Sequence, residues 1–376
     1  MTKVRFDQIA KEVRNTFSGD KAGVPIVGLE HIIPNELLLS DHDIDTENTF
    51  TKAFKKGQIL FGRRRAYQQK AAVATFDGIC SGDITVIEPI DGAVCPELLP
   101  FIIQNERFFE HAVRGSAGSL SPRVKWEHLS SYEIELPSYE EQVKLANTLW
   151  AAYNLKTSYK TLLTSIDEMV KSQFIEMFGN PMVEEQKYPL KKLGDCCVIN
   201  PKRSKIALSD TDTVSFVPMP SVSEEGYLQD VSDAEYGSVK NGFTYFENGD
   251  VLFAKITPCM ENGKGAIAHD LTNGIGMGST EFHVLRPLKG RSNSYWLLTL
   301  TRLPEFRDRA AHNMSGTGGQ QRVRADFLEN FMIGLPPIEK QIELETICRV
   351  ADKSKFELKK SIEAIDKVIK SLINNI

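Results

Sequence analysis

No apolar run in this sequence reaches the roughly 18 residues that a membrane-spanning helix needs. The opening MTKVRFDQIAKEV alternates charged and apolar residues and contains no signal-peptide core, so a soluble cytoplasmic chain with no membrane contact is expected. Cysteine is sparse. Cys80, Cys95, Cys196, Cys197, Cys259 and Cys348 are scattered, and the only close pair is adjacent, without the two-residue gap of a zinc knuckle or redox motif. Reduced core thiols are the expectation for a cytosolic protein. The seven histidines (His31, His42, His111, His128, His269, His283, His312) show no metal-ligand spacing and read as surface or satisfied core residues. Catalytic motifs are missing as well. Gly263, Lys264 and Gly265 lack the upstream glycine and the magnesium-binding hydroxyl of a phosphate loop. There is no Asn/Asp-Pro-Pro-aromatic run of the amino-methyltransferase kind and no carboxylate pair with a lysine of the nuclease kind. The glycine series Gly274, Gly276, Gly278 faintly resembles a dinucleotide fingerprint but has no counterpart in the first half of the chain, and reads as a turn before a strand. These absences point to a protein without a catalytic or metal site of its own.

What is present is a chain of ordinary globular composition, 41% hydrophobic and 25% charged, long enough at 376 residues for two or three domains. Its net charge of -5 argues against a simple basic coating of nucleic acid. The distribution matters more than the sum. Between Glu47 and Asp77 there is no acid, but there are seven basic residues: Lys52, Lys55, Lys56, Arg63, Arg64, Arg65 and Lys70. Local basic patches on a weakly acidic chain suit selective binding, because non-specific phosphate attraction competes with base reading.

The chain is also internally duplicated, with an offset near 199 residues. SAGSLSPRV (116–124) lies over SGTGGQQRV (315–323), and IELPSYEEQVKLANTL (134–149) over IGLPPIEKQIELETIC (333–348). Upstream, KGQILFGRR (56–64) answers NGDVLFAKI (248–256), and GICSGDITVIEP (78–89) answers GMGSTEFHVLRP (276–287). Each half begins with short strand-like runs (Gln58–Phe61 and Ile84–Glu88; Val251–Phe253 and Phe282–Leu285) punctuated by glycine and proline. Each then reaches a Leu-Pro that bars helix just before it, and a long helix follows. Ser138 ahead of Glu140, Glu141 and Gln142 gives the first helix a capping-box-like start, and Gly179-Asn180-Pro181 stops it after Phe178. The second helix is expected from about Ile338 to the C-terminus. Leu145, Leu149, Ala152, Leu155, Tyr159, Leu162, Ile166, Met169 and Phe174 form an apolar stripe in the first helix. Leu344, Ile347, Ala351, Leu358, Ile362, Ile365, Val368 and Leu372 form one in the second. Such length and stepping predict an antiparallel coiled coil; the alternative is that each helix lies across its own globular module. The fold class expected is therefore α+β, two similar globular α/β modules separated by two long antiparallel coiled-coil helices.

Polar and basic loops recur at equivalent places in the two halves. The first is Arg63, Arg64, Arg65, Tyr67, Gln68, Gln69 and Lys70, answered by Lys255, Thr257 and Lys264. The second holds Ser116, Arg123 and Lys125, answered by Gln320, Gln321, Arg322 and Arg324. Arginine reads guanine edges bidentately and glutamine reads adenine, so this mixture is what major-groove reading requires. Lys202, Arg203 and Lys205 offer phosphate contacts.

Taken together, these features resemble the specificity subunits of Type I restriction-modification systems. The resemblance rests on two copies of Leu-Pro-x-x-Glu-x-Gln (136–142 and 335–341), on the two Leu-Phe strands, and on the two Ser-x-x-x-x-x-x-Arg-Val loops, and it covers essentially the whole chain. It implies a first target-recognition domain at 1–137, a first spacer helix at 138–178, a second recognition domain at 179–336 and a second spacer helix at 337–376. Each recognition domain would read one half of a bipartite site on double-stranded DNA. The helices would set the gap and dock two modification subunits, with Glu140, Gln142, Glu339 and Gln341 at the docking ends. S-adenosylmethionine and ATP would belong to the partners, the modification subunits and an ATP-dependent restriction subunit. Lys340 and Pro337 replace Glu141 and Ser138 in the second copy, so the two helix starts need not bind partners equally. Two other readings remain: a free-standing DNA-binding regulator, and a coiled-coil scaffold that binds no DNA. Salt-sensitive DNA binding separates the first from the second.

Overall fold

A computed structural model describes residues 2–374 except Ser119, Met182, Glu184, Ser204, Lys205 and Gly318. The duplication foreseen in sequence is a duplication of topology. In the first half, Ala10–Val13, Ile84–Pro89, Ile59–Gly62 and Ala71–Val73 form a four-stranded antiparallel sheet in that spatial order. In the second, Cys197–Ile199, Phe282–Pro287, Val251–Ala254 and Gly265–Ile267 repeat that order. Register is kept too: Ala10 faces Pro89, and Cys197 faces Pro287. Ile59–Gly62 and Val251–Ala254 are buried along their length, which is why they read as short continuous apolar runs.

A second sheet lies in each half. It contains Ile26–Val27, Gly78–Cys80 and Lys52–Phe54 in the first, and Ser232–Glu235, Thr213–Val217, Ile275–Gly278 and Thr244–Glu247 in the second. The glycine series expected as a turn is thus mostly a strand. Only Gly274 has the left-handed backbone of a turn, at φ +71°. Gly276 is needed because a β-carbon there would sit 2.0 Å from the Phe246 ring. Gly78 has the same relation to Phe54 at the equivalent place, 2.8 Å away. The glycines therefore serve close packing.

The long helices span Tyr139–Phe178 and Ile338–Asn374. At the first start Ser138 N–H donates to Glu141 at 3.0 Å, and Glu141 N–H reaches back to the Ser138 hydroxyl at 3.4 Å, the reciprocal cap expected. The chain divides into two compact units, residues 1–160 with 360–376 and residues 161–359, so the boundary falls inside both helices. Neither helix is a domain apart. In the first unit Ala146, Leu149 and Tyr153 share one core with Ile373 from the other helix, and Lys156 pairs with Asp366 at 2.6 Å. In the second unit Phe174 and Phe178 share a core with Leu344 and Cys348, and Lys355 pairs with Asp167 at 3.0 Å. Within each unit partner numbers fall as residue numbers rise, so the segments run antiparallel. Each helix thus packs both on a module and on the other helix, and the two alternatives left by the sequence are both partly realised. The apolar stripe is only partly covered: Leu155, Leu162 and Met169, a heptad apart, are 45%, 46% and 42% exposed.

Of the cysteines, all but Cys259 are buried and all six are unpaired. Burial pushes the Cys80 and Cys197 thiols up to about 12, so they behave as inert core groups. No helix among the described residues is long and apolar enough to cross a membrane.

Candidate nucleic-acid interface

The strand Ile59–Gly62 delivers the chain to Arg63, and three backbone contacts then shape the arginine loop. Arg63 N–H donates to the Asp83 carbonyl, Val124 N–H donates to the Arg63 carbonyl, and Arg65 N–H donates to the Pro122 carbonyl. A bridge between Arg64 and Arg123 completes the join. The two loops picked out in sequence are therefore zipped edge to edge. The second module repeats each link: Lys255 N–H to the Glu281 carbonyl, Val323 N–H to the Lys255 carbonyl, Thr257 N–H to the Gln321 carbonyl, and a bridge between Ile256 and Arg322. Arg65 adopts left-handed backbone at φ +54°, a conformation that costs a side-chain-bearing residue about 1–3 kcal/mol and that clusters at functional sites.

Beneath each pair of loops lies a carboxylate that composition arguments overlooked. Asp83 accepts from Arg123 Nε at 2.6 Å and from Arg64 Nη1 at 3.4 Å, while Arg64 Nη2 donates to the Ser121 hydroxyl at 2.9 Å. Glu281 accepts both arms of Arg322, at 2.9 and 2.8 Å. Hydrogen bonds from Arg123 hold Asp83 below the usual carboxylate range, and Arg322 does the same for Glu281. Each carboxylate fixes a guanidinium without covering it, since the Arg123 and Arg322 side chains stay 45% and 40% exposed. A fork held in place and open to solvent is a pre-organised hydrogen-bonding edge. The signal was legible in the repeat, where Asp83 lies over Glu281.

Other candidate residues fall into place unevenly. Arg65, Tyr67, Gln68, Arg123, Lys125, Gln320, Gln321 and Arg324 are exposed, as are Lys202 and Arg203. Arg324 pairs with Asp326 at 2.6 Å, and Arg203 donates to the Lys240 carbonyl. The Ser116 hydroxyl donates to the Ala112 carbonyl, and the Thr257 hydroxyl to the Gly319 carbonyl, so both close loops. Lys264 is half-buried beyond the second loop. The Lys70 ammonium, expected on the arginine face, is engaged by the Leu29 carbonyl at 2.6 Å. Gln69 lines a separate cleft with Gln104 and Tyr153 rather than the arginine face. Lys205 lies outside the described residues.

The helix starts need one correction. Gln142 and Gln341, expected to meet partners, are buried and serve their own modules. Gln142 accepts from Cys95 N–H at 2.9 Å and donates to the Pro137 carbonyl at 3.0 Å. Gln341 accepts from Asn293 N–H at 3.0 Å and donates to the Arg291 and Pro336 carbonyls at 2.8 and 3.0 Å. An amide can satisfy peptide groups on both sides at once, and this explains the Gln in each motif. Glu140 and Glu339 remain exposed.

A duplicated module that carries polar and basic loops at equivalent places defines a two-domain chain built for recognition. The chain matches the family described as Type I restriction modification DNA specificity domain twice, over residues 10–167 and 185–365, and belongs to it. It is 36% identical over 184 residues to the Type I restriction enzyme EcoAI specificity subunit of Escherichia coli, a match covering 47% of this chain and 31% of that one. It is 33% identical over 186 residues to the EcoEI specificity subunit of the same organism, covering 48% and 31%. The matched stretches thus span about half of this chain and under a third of each relative. Among solved structures, the S subunit of a Type-I restriction-modification system from M. genitalium has the same fold, with a TM-score of 0.56 and 13% identity over 99% of this chain and 94% of that one.

Proposed function

We propose that the chain is the DNA sequence-recognition subunit of a Type I restriction-modification complex, each module reading one half of a bipartite duplex target. The observation that carries this reading is the carboxylate-held arginine at the same place in both modules, set among side chains that differ between them. A shared frame with different reading groups is what two different half-sites require. The long helices set the gap between half-sites and dock two modification subunits. The exposed pair Leu162 and Met169, a heptad apart, supplies an apolar surface for that docking, with Glu140 and Glu339 at the helix starts. Methyl transfer with S-adenosylmethionine and ATP-driven cleavage belong to the modification and restriction partners, and the chain is non-catalytic.

The test is recovery of partners from the native host followed by mapping of methylated sites in DNA exposed to the complex. A bipartite motif that disappears when this chain is removed is expected. Methyl transfer by the purified chain alone would sink the non-catalytic assignment, and a complex with no salt-sensitive DNA binding would favour a scaffold.

A further inference from the structure

Beside the arginine loop, the first module has an open cleft of about 530 Å³. Its wall gathers Arg14, Lys52, Arg63 and Lys125, which are far apart in sequence, together with Trp126. Glu12 and Glu127 also line it, so four cations stand against two acids. Glu12 fixes the Arg14 fork, accepting from Nε at 2.8 Å and Nη2 at 2.7 Å, and still leaves the Arg14 side chain 70% exposed. The Arg63 Nε is covered by protein and has no acceptor among the described residues. Trp126, held near the Phe6 ring at 5.8 Å, gives the cleft an apolar wall that lowers the local dielectric.

Strand register shows that the lining of this cleft is only partly repeated in the second module. Matching Ala10 to Cys197 through their proline partners places Arg14 over Pro201. Lys52 faces Cys80 as Thr244 faces Gly278, so Lys52 corresponds to Thr244. Ala325 takes the place of Trp126. Two cations and the indole of the first module therefore have neutral, smaller counterparts.

We propose that this cleft seats the phosphodiester backbone of duplex DNA and gives the first module a sequence-independent grip. The proposal rests on the DNA-reading function above. It is tested with the full chain in complex with its modification partner, measuring affinity for a random-sequence DNA duplex and for a duplex bearing the methylated motif across a salt series. Arg14→Gln and Lys125→Gln alter exposed side chains. Lys52→Gln is a third variant, interpreted alongside its melting temperature because Lys52 also donates to the Ile84 carbonyl. Each lost phosphate contact should lower the slope of log affinity against log salt by about one and weaken both duplexes by the same factor, roughly fivefold at physiological salt. Unchanged slopes in Arg14→Gln and Lys125→Gln, with wild-type binding intact, overturn the grip. A loss confined to the motif duplex overturns it too, since it would mean base reading. A wild-type complex with no salt-sensitive binding instead overturns the DNA-reading function itself.

Discussion

At the scale of single residues, Asp83 and Glu281 explain why arginines on a protein surface hold one geometry. A flexible guanidinium loses rotamer entropy when it binds, and a carboxylate beneath it pre-empts that loss. Asp83→Asn should therefore relax base selectivity more than it lowers overall affinity, read as extra motifs in a methylation map. The pH dependence follows from the direction of the shift. Asp83 is held below its ordinary value, so the stability it adds is fully present above the unfolded value near 4 and is lost as pH falls through the lower folded value. The gap in melting temperature between wild type and Asp83→Asn should stay constant at neutral pH and close only in acid. A gap that is unchanged in acid would show that the charge is not what matters. Alanine at Arg63, Arg64 and Arg65 gives a second test. Loss of a base-reading fork should cost about 1–3 kcal/mol at one base position, and loss of a phosphate contact should weaken all sequences alike. Unaltered affinity and salt dependence in the triple variant would make the cluster a solvated face.

At the scale of elements, the helix starts show what a repeated motif was for. Gln142→Leu and Gln341→Leu each strand buried peptide groups, at about 1–3 kcal/mol per group left unsatisfied. Gln341 satisfies three backbone groups against two for Gln142, so Gln341→Leu should be the more destabilising in chemical denaturation. Equal, negligible losses in both would mean that water replaces the amides. The same motif marks where sequence was informative. Proline at 137 and 336, the Ser138 cap and Gly179 punctuate the chain locally, so the long helices and the four buried strands were legible. The second sheets were not, because strands as short as Ile26–Val27 carry no period and take their burial from partners distant in sequence. The roles of Gln142 and Gln341 were misread for a related reason: a polar residue at a helix start looks exposed until the loop that needs its amide is in place. Arg14 gave no local signal, since only the fold brings it to Lys52, Arg63 and Lys125.

At the scale of the whole molecule, the proposed division of labour makes helix length an independent variable. The half-site sequences belong to the loops, and the gap belongs to the helices. One heptad added to each helix, near Thr157 in the first and in the segment around Asp366 in the second, keeps the apolar repeat and the facing of lysine on aspartate. It lengthens the pair by about 10 Å at about 1.5 Å per residue. With DNA rising about 34 Å per turn, the unspecified gap should widen by about one to three base pairs. The two half-site sequences should stay as they were, because Asp83, Glu281 and the loops above them are untouched. A four-residue insertion in one helix alone should instead rotate the seam, separating Lys156 from Asp366 and weakening assembly. The readout is the motif methylated when the variant is co-expressed with its modification partner. An unaltered gap in an assembled heptad variant rules out the helices as the ruler. A change in both half-sites together with the gap shows that reading and spacing are not separate functions of this chain.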